Sequence, residues 1–228
     1  MSGVDATTFR AAIPYPWLAL DGLLKDQAHA RLRAGLPPLA LMQESFGRKR
    51  AHGQRPHDRY LLEYRPDLPL ASEWHTLVAE LESEPYRTWL ARLLGTPRFR
   101  LGFHWHYTPA GCSVSPHCDA RHKLGSHIFY FNSKADWDPT WGGETLILDD
   151  GGRLRRNSAP DFDVFDSAAG TPAFGNRSLI FRRRGNSWHG VRPLRCPEGW
   201  LRKVFIVVIH RDDLIGRLRR RSKAARAR

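Results

Sequence analysis

Between Phe99 and Tyr107 apolar and polar residues alternate without a break. Phe99, Leu101, Phe103, Trp105 and Tyr107 fall on one parity, and Arg100, Gly102, His104 and His106 on the other. Successive side chains of a strand point to opposite faces, so this run predicts a strand with an aromatic face turned to a core. Shorter strands are expected at Ser126–Asn132, Glu144–Asp149, Phe162–Phe165, Ser178–Phe181, Trp188–Pro193 and Leu201–His210, separated by Gly, Pro and Asp turns. Such a series predicts a β-sandwich or barrel. Ahead of it the spacing is helical. Leu24, Ala28 and Leu32 share a face over 23–34, a helix that Asp21 would cap. Trp74, Leu77, Val78 and Leu81 do the same over 71–82. A further helix over 85–94 carries Trp89, Leu90, Leu93 and Leu94, with Pro85 in its first turn and Gly95 as its cap. Helices first and strands afterwards predict a mainly β, α+β fold, a jelly roll (double-stranded β-helix) buttressed by helices. Its parts would be a support region at 1–98, a β core at 99–210 and a basic tail at 211–228.

The rest of the composition sets bounds. With 228 residues and 41% apolar content, the chain can bury one substantial core. No apolar run reaches the ~18 residues of a membrane-spanning helix. The N-terminus lacks the basic and apolar regions of a secretory signal. Three cysteines, Cys112, Cys118 and Cys196, are odd in number and not spaced as a zinc pair. They point to free thiols, no disulfide partner and a cytoplasmic setting. The net charge is +13, and Arg211–Arg228 contributes eight Arg/Lys against two Asp. A basic excess favours acidic partners, among them the ribosome or another acidic macromolecule held through the tail. Segment 43–59 has no period and carries five Arg/Lys from Arg48 onward. It reads as a surface loop, with a lid or an acidic-substrate contact as the sharper alternative.

His117-Cys-Asp119 brings chemistry into this frame. Two residues apart on a strand, an imidazole and a carboxylate face the same way and can converge on one ion. A second, distant His would complete a two-His, one-carboxylate site that leaves positions open, as non-haem Fe(II) oxygenases use, and His189 is the best candidate. Alone, such a tripeptide is more often a polar strand edge than a ligand pair. His104, His106, His122 and His127 read as surface or internally bonded strand residues, and Gly142-Gly143 as a turn that permits close approach.

In order along the chain, Tyr107-Thr-Pro-Ala-Gly with His117-Cys-Asp, His127-Ile-Phe-Tyr-Phe-Asn132, Trp137-Asp-Pro-Thr-Trp-Gly-Gly-Glu144 and Ser187-Trp-His-Gly-Val-Arg-Pro-Leu194 form a set. Together they resemble the Fe(II)- and 2-oxoglutarate-dependent oxygenases, in the prolyl-4-hydroxylase-like branch. The resemblance covers roughly Phe99 to His210. It implies His117, Asp119 and His189 as iron ligands, with O2 as cosubstrate and ascorbate as a supporting reductant. It also implies a cation beneath the distal carboxylate of 2-oxoglutarate. The family's window, about ten residues after the distal His, holds no cation here. Arg202 is therefore expected in that role, with Lys203 as the alternative because neighbours on a strand face opposite ways. Tyr107 matches a tyrosine that contacts the cosubstrate, Phe129 replaces another, and Val204 stands where the branch has Ser.

The activity this implies is hydroxylation of a C–H coupled to decarboxylation of 2-oxoglutarate to succinate. The leading substrate expectation is a peptide or protein residue such as proline, and a free amino acid or small biosynthetic intermediate is the alternative. A non-catalytic jelly-roll binding module is the expectation from another class. Arg182, Arg184 and Trp188, just ahead of the distal His, are the expected substrate contacts. Segment 149–174 is longer than the branch pattern and is expected to extend the rim of the pocket.

Overall fold

Phe103, Trp105 and Tyr107 are buried on one face of a strand, and the helices of the chain lie against that face. The computed structural model describes residues 4–212. In order, its elements begin with α1 (Ala6–Ala11), β1 (Trp17–Asp21), α2 (Asp26–Ala34), β2 (Gln43–Ser45), β3 (Arg59–Glu63), α3 (Ser72–Glu82) and α4 (Glu84–Leu94). There follow β4 (Phe99–Pro109), β5 (Val114–Cys118), β6 (Lys123–Tyr130), β7 (Leu146–Asp149), β8 (Ser167–Ala169), β9 (Arg177–Arg182), β10 (Trp188–Val191) and β11 (Leu201–Arg211). A seven-stranded sheet runs β1-β9-β6-β11-β4-β3-β2, and a four-stranded sheet runs β5-β10-β7-β8. All of the strand pairs are antiparallel. The result is the expected jelly roll, and strands from the first 98 residues complete its larger sheet.

The period of two sorts the layers. On β11, Phe205, Val207 and Ile209 join the helix-side core, while Val204 faces the smaller sheet with Ile128, Tyr130, Leu179 and Phe181. α3 buries Trp74, Leu77, Val78 and Leu81, the stripe read from the sequence. Each contributes roughly 1.5–3 kcal/mol of burial. Trp74 is the centre of an aromatic cluster, 4.9–5.1 Å from the rings of Trp105, Phe131 and Phe205. α4 ends at Gly95, whose φ of 66° is the left-handed cap a glycine accepts at low cost.

Local expectations fail where a side chain has another partner. Asp21 does not cap α2. It ends β1, and its carboxylate accepts from Arg177 Nε at 2.6 Å. Phe162–Phe165 is not a strand: Phe162–Val164 forms a single 3-10 turn, and the Phe162 ring lies over Gly190. The extended piece comes later, as β8 paired with β7. Segment 43–59 is not all loop, since it opens with β2 and ends at the first residue of β3. No described helix is long and apolar enough to cross a membrane. The three cysteines are free. Nearly all of the basic tail, residues 213–228, lies outside the described residues, and the partner expected through it lies there too.

Candidate metal centre and cosubstrate pocket

His117 and His189 sit on adjacent strands, β5 and β10, directly opposite each other in the antiparallel register. Their rings are therefore brought to 4.3 Å between centroids. Asp119 follows the end of β5 and joins them, so that one ligand atom from each of the three residues lies within 4.8 Å of the others. All three are buried.

The hydrogen bonds fix which atoms face inward. His117 Nδ1 lies 2.9 Å from the Ser115 carbonyl and His189 Nδ1 3.0 Å from the Ser187 carbonyl. A carbonyl only accepts, so Nδ1 carries the proton in both rings and each Nε2 keeps its lone pair. Burial, and then the neighbouring imidazoles, push the His117 pKa well below its ordinary value. Burial also lowers that of His189. Burial alone would raise the Asp119 carboxyl, but Lys123 Nζ at 2.7 Å and the two imidazoles hold it well below the usual carboxylate range. Two neutral imidazoles and an ionised carboxylate are a donor set that fits Fe(II). The Asp119 backbone is held as well, its carbonyl accepting from Arg183 Nε at 3.1 Å and from Arg156 Nη2 at 3.3 Å.

The same three residues line a cavity of about 270 Å³ between the sheets, and Arg202 lies on its wall. Arg202 is 4% exposed, with its face fixed by the parity of β11. Its Nε donates to the Gly143 carbonyl and its Nη2 to Thr145 Oγ1 at 2.9 Å. The guanidinium also sits 5.5 Å from the centre of the Tyr130 ring. No carboxylate among the described residues forms an ion pair with it. A guanidinium has five N–H donors, so this buried cation retains donors for an incoming carboxylate, and the pocket fits the distal end of 2-oxoglutarate. Gly143 makes that placement possible. Its φ is 97°, and a Cβ there would come to 3.2 Å from Arg202 Cδ and from the Trp137 ring.

Several expected contacts point elsewhere. Lys203 faces the other way, 3.8 Å from Asp136 Oδ2. Tyr107 is on the helix side of β4, where its hydroxyl donates to the Pro37 carbonyl at 3.1 Å, so it does not line the cavity. By the same parity, His106 and Thr108 do. Phe129 belongs to the helix-side core, and Tyr130 is the aromatic residue near Arg202. Arg182 and Arg184 lie outside the cavity, Arg184 exposed. Trp188 is fully buried against Phe165, since it is one residue out of phase with His189.

Segment 46–58 falls in the run expected as a surface loop, with a lid or an acidic-substrate contact as the sharper alternative. Arg50 and His57 from this segment, with Arg59 at the start of β3, line the cavity. The His57 ring is 4.6 Å from that of His117 and its Nε2 is 3.1 Å from Ser115 Oγ, while Ser115 Oγ donates to the Arg55 carbonyl at 3.3 Å. The segment thus bridges from the edge of the large sheet to the β5 edge of the small one. It also meets segment 149–174, through Gln54 Nε2 to the Ser158 carbonyl at 3.1 Å and Arg55 to Asp161 at 2.8 Å. Its density of Arg and His was the available signal, but a run without a period says nothing about where it lies.

Residues 103–210 match the family described as the 2OG-Fe(II) oxygenase superfamily. No curated protein sequence matches the chain. Among solved structures, a prolyl-4-hydroxylase from Pseudomonas putida is similar with a TM-score of 0.62 at 16% identity, over 90% of this chain and 98% of that one. A prolyl hydroxylase from Trichoplax adhaerens, solved with a hypoxia inducible factor oxygen degradation domain peptide fragment, gives 0.58 at 12%, over 86% and 84%. The carbocyclase SnoK from nogalamycin biosynthesis, described as non-heme and alpha ketoglutarate dependent, gives 0.60 at 13%, over 96% and 91%. At these identities the likeness speaks for the fold.

Proposed function

We propose, from the match of residues 103–210 to the 2OG-Fe(II) oxygenase superfamily, that His117, Asp119 and His189 hold Fe(II) and that Arg202 anchors 2-oxoglutarate. The protein is an Fe(II)- and 2-oxoglutarate-dependent dioxygenase. The observation that carries the residue assignment is the meeting of the three ligands and an ion-pair-free buried arginine in one cavity. Bound there, iron and cosubstrate supply oxidative decarboxylation of 2-oxoglutarate to succinate and hydroxylation of a C–H. The chain's own part is to present two Nε2 atoms and a carboxylate, to seat the distal carboxylate on Arg202 and Thr145, and to keep bulk water from the cavity.

For the substrate, the bridge formed by segment 46–58 favours a small molecule over a length of polypeptide. It closes one side of the sandwich, and a cavity of about 270 Å³ falls just below the ~300–1,000 Å³ of small-ligand pockets, which leaves little room for a chain. The peptide reading, with proline as the residue modified, rests on the fold shared with prolyl hydroxylases and stands second. Free thiols and an Fe(II) requirement are consistent with a reducing, cytoplasmic setting.

The test is turnover. Purified protein supplied with Fe(II), 2-oxoglutarate and ascorbate is expected to form succinate slowly without substrate, and Asp119→Ala is expected to abolish it. Absence of succinate from the iron-loaded wild type would remove the enzyme reading.

A further inference from the structure

The charges that line the cavity are unbalanced. Among the described residues, Asp119 is the one acidic residue on its wall, against Arg50, Arg59, Lys123 and Arg202. A divalent ion, the Asp119 carboxylate and the two carboxylates of 2-oxoglutarate together leave a single negative charge, which Arg202 neutralises. Arg50, Arg59 and Lys123 then remain as positive charge facing the same space.

These cations are not simply surface groups that reach into water. Burial lowers the pKa of both Arg50 and Arg59 from the ordinary arginine value, as expected for partly desolvated guanidinium groups. Asp119 and Asp58 lie near enough to favour the charged forms of Arg50 and Arg59 respectively, but among the described residues neither arginine is in direct ion-pair contact with a carboxylate. Arg59 donates from Nη1 to the His57 carbonyl at 2.9 Å, and its buried Nε has no hydrogen-bond partner. Arg50 is steadied by Gln54, whose Oε1 accepts from Nη2 at 3.2 Å while its Nε2 bonds to the Ser158 carbonyl at 3.1 Å. Taking a cation out of water without a counter-ion is unfavourable. A fold that holds two of them beside a third, in a walled cavity, concentrates positive potential where a ligand enters.

We propose that the molecule hydroxylated here is an anion, and that Arg50 and Arg59 bind its phosphate or carboxylate group beside the metal centre. The inference rests on the reading of the cavity as a 2-oxoglutarate oxygenase site, and it adds the chemical class of the second substrate. An oxyanion there offsets part of this positive charge and gives the two guanidinium groups an acceptor. Segment 46–58 becomes a specificity element as well as a wall, because it carries Arg50 and ends next to Arg59.

The experiment uses the full chain loaded with Fe(II) and saturating 2-oxoglutarate without oxygen, so that Arg202 is already occupied. Inorganic phosphate and malonate are titrated separately by calorimetry, each as a probe for one oxyanion type. Saturable binding of either is expected, with the tighter probe naming the type. The Arg50→Gln, Arg59→Gln double variant is expected to weaken it at least tenfold, and Arg184→Gln, outside the cavity, to leave it unchanged. Thermal unfolding of each variant separates lost binding from lost fold. If the double variant does not fold, Arg50→Gln alone is read and at least a threefold weakening is expected. Binding of neither probe, or binding equal in wild type and variant, overturns the inference. Succinate formation by wild type that binds no anion defeats this inference alone. Anion binding by protein that never makes succinate defeats the oxygenase reading alone.

Discussion

Arg202 Nη2 and Thr145 Oγ1 are joined by a 2.9 Å hydrogen bond between β11 and the residue ahead of β7, across the two sheets. The guanidinium is therefore oriented before any ligand arrives, and the hydroxyl that orients it also lines the cavity. Removing the charge removes the anchor, whereas removing the hydroxyl only loosens it. Arg202→Gln is expected to weaken 2-oxoglutarate binding about 100-fold or more, on the scale of a charge-assisted bidentate contact of ~1.5–3 kcal/mol per bond. Thr145→Val should cost about tenfold, and Lys203→Gln should change affinity less than twofold. Calorimetry with Mn(II) in place of Fe(II) checks all three. A larger loss for Lys203→Gln than for Arg202→Gln would reverse the assignment.

The metal centre predicts a different ranking. Asp119→Ala removes the one anionic ligand, so Mn(II) or Co(II) affinity should fall by at least ~100-fold, beyond the ~10–100-fold typical of supporting contacts. The Arg156 and Arg183 side chains donate to the Asp119 carbonyl and not to its carboxylate. Replacing both by Ala should lower metal affinity by about tenfold at most, while leaving the Co(II) absorption spectrum that of the same ligand set. A changed spectrum would mean that the two arginines do more than steady the loop.

Much of this was legible in the chain because period-two alternation is strong in β4 and β11. The parity of Phe103, Trp105 and Tyr107 identified the helix-side face correctly. The same parity, applied strictly, would have excluded Tyr107 from the cavity and nominated His106 and Thr108. On β11 it left Arg202 and Lys203 facing opposite ways, and only the position of the second sheet distinguishes them. Arg50, His57 and Arg59 were not legible as wall residues. Their placement depends on a contact between Ser115 and a segment about 60 residues earlier, which no local pattern encodes. Arg182 and Trp188 failed as expected contacts because proximity in sequence to His189 says nothing about face.

His127 gives a prediction about pH. It is fully buried, held between the Tyr86 hydroxyl at 2.9 Å and Ser178 Oγ at 3.0 Å, and burial lowers its pKa from 6.5 to about 3. The unfolded chain therefore binds a proton that the folded chain refuses between pH 6.5 and about 3. Stability is complete above pH 6.5 and falls with acidification through that window, by up to ~1.4 kcal/mol per pH unit from this group. Urea denaturation of the metal-free protein at pH 7.5, 6.0 and 5.0 should show a falling midpoint. His127→Gln should be less stable at pH 7.5 by ~1–3 kcal/mol, because it leaves hydroxyls poorly matched, yet its decline with pH should be shallower. An equal slope in the variant would assign the acid sensitivity to other histidines.

Gly125 tests how closely β6 and β9 must approach beside the cavity wall. A Cβ at this position would lie 2.1 Å from the Phe181 carbonyl oxygen and 3.2 Å from its carbon, both backbone atoms. Neither can move aside as a side chain could, so the strands themselves must separate at the Gly125–Arg182 pair. The disturbance would reach the cavity through Phe181, whose ring is 4.6 Å from that of His189. Gly125→Ala is therefore expected to destabilise the protein by ~2–4 kcal/mol, within the range of overpacked and strained cores. It should also weaken Mn(II) binding by several-fold in the fraction that stays folded. Denaturant titration read beside metal titration checks the pair of effects. A variant with wild-type stability would show that the two strands separate at little cost, and the close approach would then lose its importance for the site.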